Sequence, residues 1–215
     1  RMLSIDKPGL TDHWMRRTAI AVVLFACWSS GNRSISQEAG QPARHPDIVF
    51  ILVDDLRWDG LSFKHHPYVK TPNIDRLRSR GASMRNAFVS TSICCPSRAT
   101  FLTGVYANQH GVIDNETSEY NPEITPPLTK YLQEAGYKTA MLGKWHMGHH
   151  AMPRKYFDHW VSFKGQGKYI DPLFNINGKL SQHKGYTTDL LSKKAVAFIQ
   201  KHPKKTPYFL MVSHK

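Results

Sequence analysis

The sequence predicts an α/β fold, with parallel strands in a central sheet and helices packed against it. Three observations predict it. Continuous apolar runs at Ile48–Val53 and Tyr208–Val212, with a further segment at Lys138–Leu142, read as strands of a parallel sheet. Between them lie apolar residues at helical spacing, from Leu128 to Ala135 and from Leu190 to Ile199. Each strand also stops abruptly in polar residues, and ligands of open α/β sheets bind beyond the carboxyl ends of strands.

The chain of 215 residues is long enough for one domain with a sizeable core. Lysine and arginine outnumber acids 29 to 16, a net charge of +13 that favours anionic partners. The basic residues are spread out, with no runs beyond pairs such as Lys193-Lys194 and Lys204-Lys205. No nucleic-acid-reading motif accompanies them, so no nucleic-acid partner is expected. Three cysteines, Cys27, Cys94 and Cys95, make no disulfide framework.

The leader comes first. Met15-Arg16-Arg17, the apolar run Ala19–Cys27 and the small residues Ser29, Ser30 and Gly31 read as an export signal over residues 15–30. The run is too short to span a membrane. Residues 1–14 precede Met15 and read as upstream translation. Leu24-Phe25-Ala26-Cys27 faintly resembles a lipoprotein box, so a membrane is expected only through lipidation at Cys27. A polar stretch completes a leader of residues 1–45, and the protein is expected in the periplasm or secreted.

Ile48–Val53 is expected to be a strand buried on both faces, ending in Asp54-Asp55. Paired carboxylates there suit a hard cation such as calcium or magnesium. Thr71-Pro72-Asn73-Ile74-Asp75 opens a helix with a cap and an N1 proline, closed at Gly81. Ser83–Ser90 is expected to be a short strand. It delivers the chain to C-C-P-S-R-A-T-F-L-T-G, Cys94–Gly104, a turn running into a helix capped by Ser97 and ended by Gly104. A helix start gathers free N–H groups that suit an anion, and Arg98 adds a planar fork of donors.

Thr125-Pro126-Pro127 starts a helix with Leu128, Tyr131, Leu132 and Ala135 on one face, ended by Gly136. The strand Lys138–Leu142 exits into Gly143-Lys144-Trp145-His146. Two apart in an extended segment, Lys144 and His146 share a face and can present an ammonium and an imidazole to one anion. Phe157–Gly178 reads as an irregular insert of the kind that lines a substrate pocket. Thr187-Thr188-Asp189 caps a helix whose Leu190, Leu191, Ala195, Phe198 and Ile199 are core. Tyr208–Val212 is the last strand, ending in Ser213-His214-Lys215.

The run from Ser92 through C-C-P-S-R and A-T to F-L-T-G resembles the signature of type I sulfatases, and G-K-W-H after a strand resembles their second signature. The resemblance covers residues 45–215 and only the front part of such an enzyme. It implies the alkaline-phosphatase-like α/β sandwich, a large mixed sheet with helices on both faces. It implies formylglycine, made from Cys94 by a formylglycine-generating or maturase enzyme, as nucleophile. Arg98 then steadies the aldehyde hydrate, Lys144 contacts hydrate and sulfate, and His146 holds a geminal hydroxyl. Asp54, Asp55 and Cys94 ligate calcium, with magnesium as the alternative.

The implied reaction is hydrolysis of a sulfate ester, with a sulfated carbohydrate as substrate. An Asp with an Asn or His on the metal, and a second lysine, are expected from sequence beyond Lys215, so residues 46–215 alone are expected to be inactive. Two rival readings stand beside this one. One is a phosphonate or phosphate ester hydrolase of the same superfamily; the other is a non-catalytic fragment that binds sulfated polysaccharide.

Overall fold

The computed structural model describes residues 45–116 and 119–215. The expected export signal and Cys27 lie outside the described residues. Among the described residues six strands form one sheet: β1 (Ile48–Val53), β2 (Lys138–Gly143), β3 (His159–Ser162), β4 (Leu173–Ile176), β5 (Lys179–Gln182) and β6 (Tyr208–His214). Their order is β1-β6-β2-β3-β4-β5. The first four in that order run parallel, and β4 and β5 add an antiparallel hairpin, so the sheet is mixed.

Helices cover both faces. Helices α1 (Pro72–Ser79), α2 (Cys94–Thr103), α3 (Ala107–His110) and α4 (Leu128–Glu134) precede β2, and α5 (Thr187–Lys201) precedes β6. Side chains alternate across the pleat. Met141, Trp160, Phe209 and Met211 point to the face that packs Cys95, Ala99 and Leu102 of α2. Ala140, Leu142, Val161, Leu210 and Val212 point to the other, against Leu191 and Ala195 of α5. β6, buried on both faces for nearly its whole length, lies between β1 and β2.

Several expectations are corrected here. β1 is a strand, but its burial alternates and Ile51 is 58% exposed. Its even-numbered residues Ile48, Phe50 and Leu52 pack with α2, whereas α5 lies over β2 and β6 and leaves the other face of β1 bare. Ser83–Ser90 forms no strand; it is exposed and pairs with nothing in the described sheet. Phe157–Gly178 is not wholly irregular, because β3 and β4 lie inside it. On α4 Leu132 of the apolar face packs against the core beside buried Thr129, while Leu128 and Tyr131 stand exposed. Thr71 and Thr187 also fail as side-chain caps: Thr71 Oγ1 bonds to Asp75, and Thr187 Oγ1 donates to Lys168 O at 2.6 Å.

Candidate active site

Parallel neighbours bring their carboxyl ends to one side, and here those ends carry Asp54 after β1, Ser213 in β6 and Lys144 after β2. The Asp54 N–H donates to His214 O at 3.3 Å, and the Lys144 N–H to Ser213 O at 2.9 Å, so both exits are tied to β6. Gly143 makes the second tie attainable. Its φ is 113°, and a Cβ there would lie 2.0 Å from Ser213 O. Trp145, buried against Trp160 with ring centroids 5.4 Å apart, anchors the chain just beyond Lys144.

Helix α2 lies across these strand ends. It begins at Cys94 with Ile93 as cap residue and no side-chain cap bond, so Ser97 stands inside the first turn and does not cap. Gly104 closes it at φ 72°. The early start turns Arg98 inward, and it is 2% exposed. One guanidinium nitrogen donates to Asp54 Oδ1 at 2.8 Å. The other donates to Lys144 O and to Ser213 Oγ, each at 2.5 Å. Lys144, fully buried, donates to Asp54 Oδ2 at 2.5 Å, with Cys94 Sγ 3.5 Å from its ammonium. Burial pushes the Asp54 carboxyl up, but hydrogen bonds and charge from Lys144 and Arg98 outweigh it and hold the group below its ordinary value.

The two cysteines part company. Cys94 faces Lys144, while Cys95, 1% exposed, turns into the core beside Ala99 and Met141. Its N–H donates to Asn115 Oδ1 at 2.9 Å and its thiol to the His146 carbonyl. Burial pushes that thiol up to about 11. His146 has φ 57°, so the segment after β2 is not extended and Lys144 and His146 do not share a face. The His146 ring approaches Cys95, with Nδ1 3.6 Å from Sγ. Burial, then the charges of Lys144 and Arg98, lower the His146 pKa, so the ring is neutral at neutral pH.

Asp54, Asp55 and Cys94 each offer a ligand atom, and these lie within 4.8 Å of one another. Each Asp54 oxygen accepts one hydrogen bond and retains a lone pair, and Asp55 stands exposed at φ 54°. The carboxylate donors therefore fit a divalent hard cation. Two participants were absent from the sequence reading, Ser213 and Asn115. Ser213 sits at a strand end like Asp54 and Lys144, a signal that could have found it. Asn115 lies in a loop and had none.

A family model described as Sulfatase matches residues 46–215. The chain is 35% identical over 178 residues to N-acetylglucosamine-6-O-sulfatase of Bacteroides thetaiotaomicron, covering 81% of this chain and 31% of that protein. It is 30% identical to the ulvan-active sulfatase of Formosa agariphila, covering 93% and 41%. Among solved structures, BT4656 in complex with its substrate D-glucosamine-2-N,6-O-disulfate superposes with TM-score 0.73 at 36% identity, covering 79% of this chain and 34% of that one. A phosphonate monoester hydrolase of Agrobacterium radiobacter superposes with TM-score 0.60 at 20% identity over 79% and 40%, and shows the shared fold alone. The chain thus spans about a third of the length of the N-acetylglucosamine-6-O-sulfatase and of BT4656. With the fold and the family model in agreement across residues 46–215, the chain belongs to the sulfatase family.

Proposed function

We propose that the protein hydrolyses sulfate esters of carbohydrates, with Cys94, oxidised to formylglycine, as the nucleophile. One observation carries the reading. Asp54, Arg98 and Lys144, from three distant segments, converge in one buried network, with Cys94 beside Lys144. A hydrated aldehyde at position 94 would supply two hydroxyls, one to attack sulfur and one to lose a proton when sulfate departs. A divalent cation held by Asp54, Asp55 and residue 94 would supply positive charge at the sulfuryl oxygens.

The chain's own residues do the rest. Lys144 brings an ammonium to the nucleophile, fixed by Asp54 so that it needs no reorganisation when negative charge develops. Arg98 acts chiefly as a strut, since its donors go to Asp54, Lys144 O and Ser213 Oγ. His146, neutral, is the group able to accept a proton.

The reading extends to the compartment: the leader exports the protein, where it meets sulfated polysaccharide after a formylglycine-generating or maturase enzyme has acted. The test is side-by-side turnover of 4-nitrophenyl sulfate and an aryl phosphonate by the matured protein. Sulfate turnover that disappears in Cys94→Ala supports the proposal. Preference for the phosphonate, or undiminished turnover in Cys94→Ala, would overturn it.

A further inference from the structure

Between β3 and β4 the chain from Phe163 to Asp171 has no regular structure, yet it is firmly tied. The Thr187 hydroxyl donates to Lys168 O at 2.6 Å and its N–H to Tyr169 O at 2.8 Å. The Asp171 N–H donates to Gly185 O at 2.9 Å, and the Gly185 N–H returns a bond to Asp171 Oδ1 at 2.7 Å. Gly167, at φ 68°, lies so close to the Phe163 ring that a Cβ would meet it at 2.4 Å. A loop held at this many points offers a prearranged wall, with little ordering left to do when a ligand arrives.

That wall faces the end of β6. Lys215 Nζ donates to Gly167 O at 3.1 Å and stands 4.0 Å from the Tyr169 ring centroid. Gln166, Tyr169 and Lys215 line an open cavity of about 370 Å³ together with Asp54 and Asp55. The same two aspartates line a second cavity, of about 500 Å³, with Cys94 and Arg98. The two compartments meet at the aspartate pair. One holds the candidate nucleophile; the other holds a fixed ammonium.

That ammonium makes no ion pair among the described residues. One of its three donors is used by a carbonyl, and the ring holds it in place without neutralising it. Tyr169, 51% exposed, and Gln166 add a hydroxyl and an amide able to meet sugar hydroxyls. A wall of this make-up matches a polar ring bearing a negative substituent.

We propose that Gln166, Tyr169 and Lys215 form a subsite for the alcohol portion of the substrate, and that Lys215 binds an anionic group other than the ester cleaved. The substrate class is an acidic saccharide, carrying a second sulfate or a carboxylate beside the scissile sulfate. The proposal rests on the sulfate-ester reading.

The test measures kcat/KM of the full, matured protein and of Lys215→Met, Lys215→Arg and Tyr169→Phe. The probes are 4-nitrophenyl sulfate, N-acetylglucosamine-6-sulfate, D-glucosamine-2-N,6-O-disulfate and a 6-O-sulfated disaccharide bearing a uronate. Lys215→Met should lower kcat/KM for a doubly anionic probe, chiefly through KM, about tenfold more than for the two singly charged probes, the scale of a lost charge-assisted hydrogen bond. Lys215→Arg should restore most of the difference. Whether the disulfate or the uronate probe suffers identifies the anion. An equal proportional loss on all four probes means that Lys215 only props the loop, and overturns the subsite. Calorimetry of Cys94→Ala with the disulfate separates the two readings. Binding that depends on Lys215, in a protein whose wild type cleaves no sulfate ester, keeps the subsite and discards the hydrolase; no such binding discards both.

Discussion

Lys144 and Asp54 are 90 residues apart in sequence and meet at 2.5 Å, although their strands β2 and β1 are not neighbours. β6 lies between them, and both side chains reach across its end toward each other. The pair is almost wholly enclosed, so its charges depend on one another and on Arg98. Breaking a buried pair by removing one partner leaves the other charge stranded.

Lys144→Met should therefore lower stability by roughly 3 kcal/mol, softened by the Arg98 contact that Asp54 keeps, and should reduce turnover far more than substrate binding. Denaturant titration and single-turnover rates check this. A variant as stable and fast as wild type would show that the pair is incidental.

Calcium should raise the melting temperature of the protein, because a ligand that binds only the folded state stabilises it. Asp55 is the exposed member of the donor set, so Asp55→Ala should fold normally while losing that rise. Chelator addition should bring wild type down to the level of the variant. An undiminished calcium response in Asp55→Ala would remove this residue from the metal site.

The two cysteines should differ in reactivity. With a thiol near pKa 11 and 1% exposure, Cys95 is about one part in a thousand thiolate at pH 8 and should resist alkylation. Iodoacetamide applied to folded, unmatured protein should label Cys94 first, as read by peptide mass spectrometry. In matured protein the aldehyde should appear at position 94 only. Preferential labelling or an aldehyde at position 95 would reverse the assignment.

Gly143→Ala adds a Cβ where the Ser213 carbonyl already stands, at a φ that side chains avoid. It should cost roughly 3 kcal/mol or more and displace Lys144, so that activity falls further than stability alone explains. Retained activity in a folded Gly143→Ala protein would mean that β2 and β6 can separate there without harm.

Asp158 supplies a pH test away from the site. Burial pushes its carboxyl up, but the Thr139 N–H at 2.8 Å, Lys138 and Gln133 outweigh that and hold it below its ordinary value. A depressed folded pKa adds stability above the unfolded value of about 3.9, which is lost as pH falls through the folded value. Asp158→Asn should cost about 1 kcal/mol at pH 7, and the gap to wild type should close as pH drops below about 4. Urea midpoints at pH 7 and pH 3 measure it; a gap that widens in acid contradicts the sign.

Much of the frame was legible locally. β1, β2 and β6 announce themselves as apolar runs, and α2 and α5 end and begin close to their turn residues. What escaped has a common cause. β3 and β4 are four residues each, too short to carry a period, and both depend on partners elsewhere in the chain. Ser83–Ser90 has strand-like composition but no partner among the described strands. The bare face of β1 follows from where α5 lies, which no residue in β1 encodes.

The sequence by itself determined the chemistry available: a Cys-Cys-Pro-Ser-Arg run, an aspartate pair and a Lys-x-His, each beside a strand or helix end, because motif and element boundary are both local properties. Only the tertiary structure decided how they are wired. The order β1-β6-β2 places Ser213 under Arg98 and lets Lys144 reach Asp54. A left-handed turn at His146 sends that ring to Cys95, while the Lys144 ammonium stands beside Cys94. Contacts between residues 44 to 115 positions apart depend on strand order and backbone handedness, and neither is written in the spacing of any single motif.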